Sequence, residues 1–273
     1  MSSPTTFFVL QEFQRRGLEP ADLYLCAGLR AGSDGRERPD LGQLMPSRFL
    51  ADRAAGLVER MDDPNCDPEQ LRRTYAQFNL LNRFVAGWGR IYSRYIRPEL
   101  RAGATSILDV GPGGGDIARM LYRSASADGL PVRITAIDTD NRAVQFMQSS
   151  TTEYSIEVRH AGTRELLAAG ERFDIVLSSN VLHHIVEDCI PAFLGDSHAL
   201  AARLTIHSDI RRDVFAFLAF FPARFLFPGS FVAADGLISI RKSYRCEELL
   251  PLLPVDWDIR RMSPFRYLCM RRA

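Results

Sequence analysis

Residues 106–121 read SILDVGPGGGDIARML. Ile107, Leu108 and Val110 make a short apolar run of strand type, and helical spacing begins at Asp116. Between them, four of the five residues 111–115 are glycine. Glycine lets a chain turn tightly and lets a ligand approach the backbone. A strand, a glycine loop and a helix start form a corner of the type that holds nucleotides. Asp109 adds an ionisable group at the strand end, two positions before Gly111.

The rest of the chain bounds the setting of that corner. Its 273 residues suit one large α/β domain with additions. Apolar residues at 46% and charged residues at 25% are ordinary for a globular protein. A formal net charge of +1 supplies no field to attract nucleic acid or anionic lipid. The five cysteines, at 26, 66, 189, 246 and 269, are scattered and form no CxxC pair. They read as free thiols in a reducing cytoplasm rather than as a disulfide or zinc framework. The apolar patch Phe7–Leu10 has no basic residue before it and is not a secretory signal.

Strand and helix patterns alternate from 106 onward. Strands are expected at 106–110, 132–138, 154–159, 173–178, 202–207, 256–262 and 266–271, with helices at 115–127, 140–149 and 181–190. The order implies a doubly wound α/β domain with a parallel sheet and helices on both faces. Ligands in such sheets sit beyond the carboxyl ends of the strands. Upstream, Asp67-Pro68 reads as an N-cap and first helical residue, and Tyr75, Phe78, Leu81, Phe84, Val85 and Trp88 recur at helical spacing. Residues 29–43, rich in Gly, Arg, Asp and Pro, read as a linker. We therefore expect an N-terminal appendage and linker over 1–66, cap helices over 67–105, and the ligand-binding domain over 106–273.

Two cofactors fit the glycine corner. Gly113–Ala118 matches GxGxxA, and Asp138 follows at about the distance a dinucleotide fold expects of its ribose ligand. A nicotinamide- or flavin-dependent oxidoreductase is thus one reading. Asp109 argues for another, because a carboxylate at that strand end suits a ligand carrying a cation. Asp109, Gly111, Gly113 and Gly115 resemble the acidic-x-Gly-x-Gly-x-Gly signature of the class I S-adenosylmethionine (SAM)-dependent methyltransferases. Asn180-Val181-Leu182-His183-His184 resembles the segment after the fourth strand in the small-molecule members. Phe78–Asn82 and Gly87-Trp88 resemble the helix before the fold in ubiquinone and menaquinone biosynthesis methyltransferases. A non-catalytic partner protein of this fold is the third reading.

The resemblance implies a Rossmann-like seven-stranded sheet whose last strand is antiparallel, with N-terminal helices and a helical lid inserted at about 210–240. It implies SAM as cofactor, with Asp109, Gly111, Pro112, Gly113 and Gly115 at its amino-acid end and Asp138 and Thr139 at the ribose. Gly162, Thr163, Asn180, Tyr75 and Asn82 complete the expected donor site. Many relatives place an acid after the third strand to hold adenine; His160-Ala161-Gly162-Thr163 lacks it. His183, His184 and Asp209 are the candidate catalytic residues. A histidine near the acceptor suits a general base. Adjacent histidines on a helix point about 100° apart, so only one is expected to face the pocket. Ser178 and Ser179 stand where a catechol-type metal site would place its first acid, so no metal is expected. The stretch 214–231 holds seven of the 17 phenylalanines and only one charge, Arg224. Pro222, Arg224 and Pro228 interrupt it, which argues against a transmembrane helix; it reads as an aromatic lid over a greasy acceptor, with a buried core helix or an interfacial membrane segment as the alternatives. The expected activity is methylation of a small aromatic or polyketide-like molecule, at a phenolic oxygen or activated carbon, in secondary metabolism. The expected partners are that acceptor, no nucleic acid and, as an oligomeric option, a second copy in a homodimer.

Overall fold

A computed structural model describes residues 49–273, and the compact unit runs from Arg53 to Ala273. The readings of Phe7–Leu10, of Cys26 and of the 29–43 linker lie outside the described residues. Helix α1 (Pro68–Val85) starts as expected: the Asp67 carboxylate accepts from the Glu69 and Gln70 amides, both at 2.9 Å, and Pro68 opens the first turn. Gly87, at φ 68°, turns the chain in the left-handed region into α2 (Trp88–Ile91). A π-helical turn over Tyr92–Ile96 and α3 (Arg97–Arg101) follow.

Seven strands then form one sheet: β1 (Ser106–Val110), β2 (Arg133–Asp138), β3 (Ile156–His160), β4 (Phe173–Ser179), β5 (Ala201–Ile210), β6 (Asp258–Met262) and β7 (Arg266–Arg272). Their order is β3-β2-β1-β4-β5-β7-β6. β7 runs antiparallel to β5 and β6, and the other strand pairs are parallel. The order reverses between β1 and β4, the switch point where ligands bind in open α/β sheets. β1 is the central element there. Asp109 pairs in register with Ala136 on one side and Leu177 on the other.

The two-residue period of β1 feeds two cores. Ile107 joins Trp88, Ile91, Ile117, Leu121, Ile134 and Ile175 on one face; Leu108 and Val110 join Ile137, Val176 and Leu200 on the other. Each such side chain, fully buried, is worth about 1.5–3 kcal/mol of transfer free energy. Asp109 lies on the Ile107 face, which explains why its carboxylate is buried at the sheet's carboxyl edge. The connecting helices are α4 (Asp116–Ala127), α5 (Asn141–Ser150), α6 (Thr163–Ala168) and α7 (Ile190–Leu200).

One expected helix is displaced. Residues 181–190 do not form it; 3₁₀ turns occupy Leu182–His184 and Glu187–Cys189, and the helix is Ile190–Leu200. Ile185 and Val186 are extended, and Pro191 sits in the first turn of α7, where its missing N–H costs nothing.

The insertion between β5 and β6 comprises α8 (Val214–Phe220), α9 (Ala223–Leu226), α10 (Val232–Lys242) and α11 (Cys246–Leu249). Asp213 caps α8 by accepting from the Phe215 and Ala216 amides. α10 packs so tightly against α8 that a Cβ on Gly236 would lie 2.1 Å from the Phe220 ring. No helix among the described residues is long and apolar enough to cross a membrane.

Candidate active site

A cavity of about 380 Å³ opens at the carboxyl ends of β1, β2 and β4. Its donor wall is the glycine loop. Asp109 is 1% exposed, and neither carboxylate oxygen has a hydrogen-bond partner. Burial pushes its pKa well above the usual carboxylate range, and the neighbouring Asp116 and Asp138 push it further. Asp116 is also raised by burial, offset in part by the amide it accepts from Asn82 Nδ2 at 2.9 Å. Asp138 ends β2 and accepts from the Asp140 amide at 2.9 Å and the Gly113 amide at 3.3 Å. Its pKa is raised by burial too. Three acids therefore crowd one wall, and Asp109 has no counter-charge of its own.

The glycines divide by role. Gly111, at φ 66°, would carry a Cβ 2.7 Å from Val181, so its absence lets the loop after β4 close on β1. A Cβ on Gly114 would lie 2.7 Å from the Tyr75 carbonyl oxygen and one on Gly115 2.7 Å from Met147, so these two serve packing of α1 and α5 on the loop. Gly111, Pro112 and Gly113 line the cavity with Asp109, Asp138, Thr139, Tyr75, Asn82 and Asn180. Gly115, Gly162 and Thr163 do not line it. Gly162 instead packs behind Thr139 and donates its amide to Glu165 at the start of α6. Asn180 holds φ 58°, its amide donating to the Ser208 carbonyl and its Oδ1 accepting from Arg266. Trp88 donates from Nε1 to Ser179 Oγ at 2.9 Å, tying α2 to this wall. Ser178 points elsewhere, to His207 Nδ1 at 2.7 Å.

The opposite wall corrects one expectation. Both histidines converge, instead of one facing away, because the segment is a 3₁₀ turn rather than a helix. Their rings lie 4.2 Å apart. His183 Nε2 stands 3.3 Å and His184 Nε2 3.6 Å from the same oxygen, Glu59 Oε1. His183 is 2% exposed and lines the cavity; behind it Asp209 accepts from His183 Nδ1 at 2.8 Å and from the His183 amide at 3.0 Å. Asp209 is thus brought to His183 and not to the cavity wall. Burial alone would lower the His183 pKa; Asp209 and Glu59 outweigh it and raise it to about 9. Burial likewise opposes ionisation of Glu59, but His183, His184 and Lys242 hold it down at about 2.

Glu59 escaped sequence reasoning because it lies in the stretch read as appendage. Asp235 on α10 anchors it, accepting from the Arg60 amide at 2.8 Å and the Met61 amide at 3.0 Å. Ser239 Oγ donates to Glu59 Oε1 at 3.0 Å, and Lys242 Nζ stands 3.4 Å from the same atom. No signal local to residue 59 marks this convergence, since its partners lie more than 120 positions away.

The lid contributes less aromatic surface than expected. Phe220 lines the cavity beside Phe78 of α1, whereas Phe227 and Phe231 are buried elsewhere and Phe215 and Phe225 are exposed. Arg211 and Arg212, which precede it, pair with Asp213 and Glu248.

Comparison with known proteins accords with this geometry. A methyltransferase-domain family model matches residues 107–202. The chain is similar to the ubiquinone biosynthesis O-methyltransferase of Paramagnetospirillum magneticum, 34% identical over 143 residues, which is 50% of this chain and 51% of that protein. It is also similar to the enzyme of that name from Methylobacterium nodulans, 32% identical over 107 residues, 38% of this chain and 40% of that protein. The chain thus spans about half or less of the curated relatives it matches. The plantazolicin methyltransferase BpumL, solved with S-adenosylhomocysteine (SAH), shares the fold at a TM-score of 0.52 and 12% identity, over 74% of this chain and 95% of BpumL. With the sheet order and the acidic–glycine corner, these matches give the chain a methyltransferase domain over residues 107–202 and the fold of the SAH-bound methyltransferase BpumL.

Proposed function

We propose that this protein transfers a methyl group from SAM to a hydroxyl of a small, largely hydrophobic acceptor of aromatic or polyketide-like type. One observation carries the donor half: Asp109 is a buried carboxylate with no partner, at the switch point of the sheet and open to the cavity. A buried acid in that state is costly unless a ligand supplies the cation. The amino-acid end of SAM is such a ligand. An oxidoreductase cofactor brings no cation to this position, which disfavours that reading.

When bound, SAM supplies an electrophilic methyl on a sulfonium. The protein's own part is to bind, orient and exclude water. Asp109 would pair with the ammonium, with Gly111, Pro112 and Gly113 giving the backbone room. Asp138, with Thr139 beside it, would accept from the ribose hydroxyls. Tyr75 and Asn82 would close the donor site from α1, and Asn180 would border the reacting end. Gly162 would act indirectly, by backing Thr139.

On the acceptor side, His184 would meet the hydroxyl at the cavity rim. His183, held between Asp209 and Glu59, would position that group, and Phe220 and Phe78 would cover apolar surface. The O-methyltransferase names of the relatives favour oxygen over carbon as the atom methylated. The scattered free thiols fit a reducing, cytoplasmic setting.

The test is incubation with methyl-labelled SAM and a panel of phenols, catechols, quinols and polyketide intermediates, read by mass spectrometry. A labelled ether on a panel member is the expected product. If SAH neither binds nor raises the melting temperature, the reading fails.

A further inference from the structure

We propose that Glu59, His183 and His184 form a divalent-cation site of zinc type on the acceptor wall, with its open position facing the cavity. Among the described residues, these are the donors grouped closely enough for one ion, all within 4.8 Å of one another.

The arrangement of donors carries the inference. His183 Nδ1 faces the Asp209 carboxylate at 2.8 Å, and that carboxylate also takes the His183 amide. Nδ1 must therefore carry a proton, which leaves Nε2 as the ring nitrogen that takes either a second proton or a metal ion. Nε2 is buried and has no hydrogen-bond partner, yet it faces Glu59 Oε1 at 3.3 Å. A carboxylate oxygen and a ring nitrogen so placed call for a positive charge between them, supplied by a proton on the ring or by a metal ion that displaces that proton. A proton would draw the atoms to about 2.7–2.9 Å. The separations from Oε1, 3.3 Å to His183 and 3.6 Å to His184, are longer. They match the edge of a tetrahedron with metal–ligand bonds of about 2.0–2.1 Å, which is about 3.3–3.4 Å.

The surroundings agree. A metal-bound histidine commonly donates its other ring N–H to a carboxylate, which Asp209 provides for His183. Two imidazoles and one carboxylate are the donor set of open zinc sites, whose fourth position takes water or substrate. The Arg60 and Met61 amides, fixed by Asp235, hold Glu59 in place. Lys242 is the competing cation, 3.4 Å from Glu59 Oε1 and 3.3 Å from His184 Nδ1. Asp62, at 3.9 Å from Lys242, offers that ammonium another partner once the ion is bound.

The site itself does not depend on the methyl-transfer reading, but its use does. On that reading the fourth position would hold the acceptor hydroxyl beside the methyl donor and lower its pKa, as zinc does for water.

The experiment is metal titration of the EDTA-stripped full-length chain, followed by calorimetry with Zn²⁺ and by the visible bands of Co²⁺. We expect one tight ion per chain and four-coordinate Co²⁺ bands. Asp209→Asn should weaken binding about 10- to 100-fold, as loss of an outer partner does. Glu59→Gln and His184→Ala should abolish it, and Lys242→Met should strengthen it. An SAH-induced melting shift, measured on each variant, shows that it is folded. Absence of a stoichiometric ion in both wild type and Lys242→Met overturns the proposal, as does unchanged binding in Glu59→Gln and His184→Ala. If SAH binds and no metal does, only this inference fails; if metal binds and SAH does not, the donor reading fails instead.

Discussion

The two walls of the cavity handle buried charge in opposite ways. On the donor wall, Asp109, Asp116 and Asp138 sit together; Asp116 accepts from the Asn82 amide and Asp138 from two backbone amides, while Asp109 has no partner. On the acceptor wall, Glu59 and Asp209 face His183, His184 and Lys242 within a few ångströms. One wall is incomplete until a cationic ligand arrives; the other balances its charges among its own side chains. Charge left uncompensated inside a protein costs stability, so the donor wall gives up folding free energy that the ligand restores.

That contrast is broken most severely at Asp109. Asp109→Asn should abolish measurable SAH binding, since removing one partner of a buried ion pair costs about 3–5 kcal/mol. The same change should stabilise the ligand-free protein at neutral pH, by about 2–4 °C for each kcal/mol regained at this chain length. An acid whose pKa is raised on folding is destabilising above its unfolded pKa, about 3.9, and harmless below it. The melting difference between variant and wild type should therefore shrink toward acid pH. Thermal unfolding across pH, with and without SAH, reads both effects.

Next in size is the lid. Gly236→Ala places a methyl 2.1 Å from the Phe220 ring, so that ring or α10 must shift; overpacking of this kind costs about 1–3 kcal/mol. Because α10 also carries Asp235 and Ser239, which hold Glu59, turnover should fall more than SAH affinity. Calorimetry and kinetics on one sample separate the two.

A smaller effect concerns protons. Pairing with a ligand cation favours the ionised form of Asp109, so SAH binding should release protons, and affinity should fall as pH drops. Titrations in buffers of different ionisation enthalpy count the protons; uptake instead of release would contradict the account. The smallest effect belongs to the outer lid. Phe215 is 68% exposed, and Phe215→Ser should change stability by no more than about 0.5 kcal/mol and leave SAH binding alone.

The walls also differ in how far they could be read from the chain. The donor wall is local: Asp109 through Asp116 is one continuous turn, and Asp138 ends the next strand. Strand period, glycine and an acid at the strand end suffice to place these groups; the antiparallel last strand followed only from the family resemblance, and the strand order was not read from the sequence. The acceptor wall is assembled from positions 59, 183–184, 209, 235 and 242. Only tertiary packing joins them, so Glu59 looked like part of a linker. The helix expected at 181–190 failed for a local reason: apolar residues at helical spacing outweighed Pro191, which marks a start rather than an end. That error hid the convergence of His183 and His184. The seven phenylalanines of 214–231 announced a greasy insertion, but composition does not say which ring turns inward, and Phe220 is the one that reaches the cavity.

The most direct test of the central claim, that Asp109 awaits a ligand cation, is calorimetric titration of SAH into wild type and Asp109→Asn at neutral pH. The account predicts one SAH per chain for the wild type and no measurable heat for the variant, with the variant folded by circular dichroism. Equal affinity in the two proteins would contradict it.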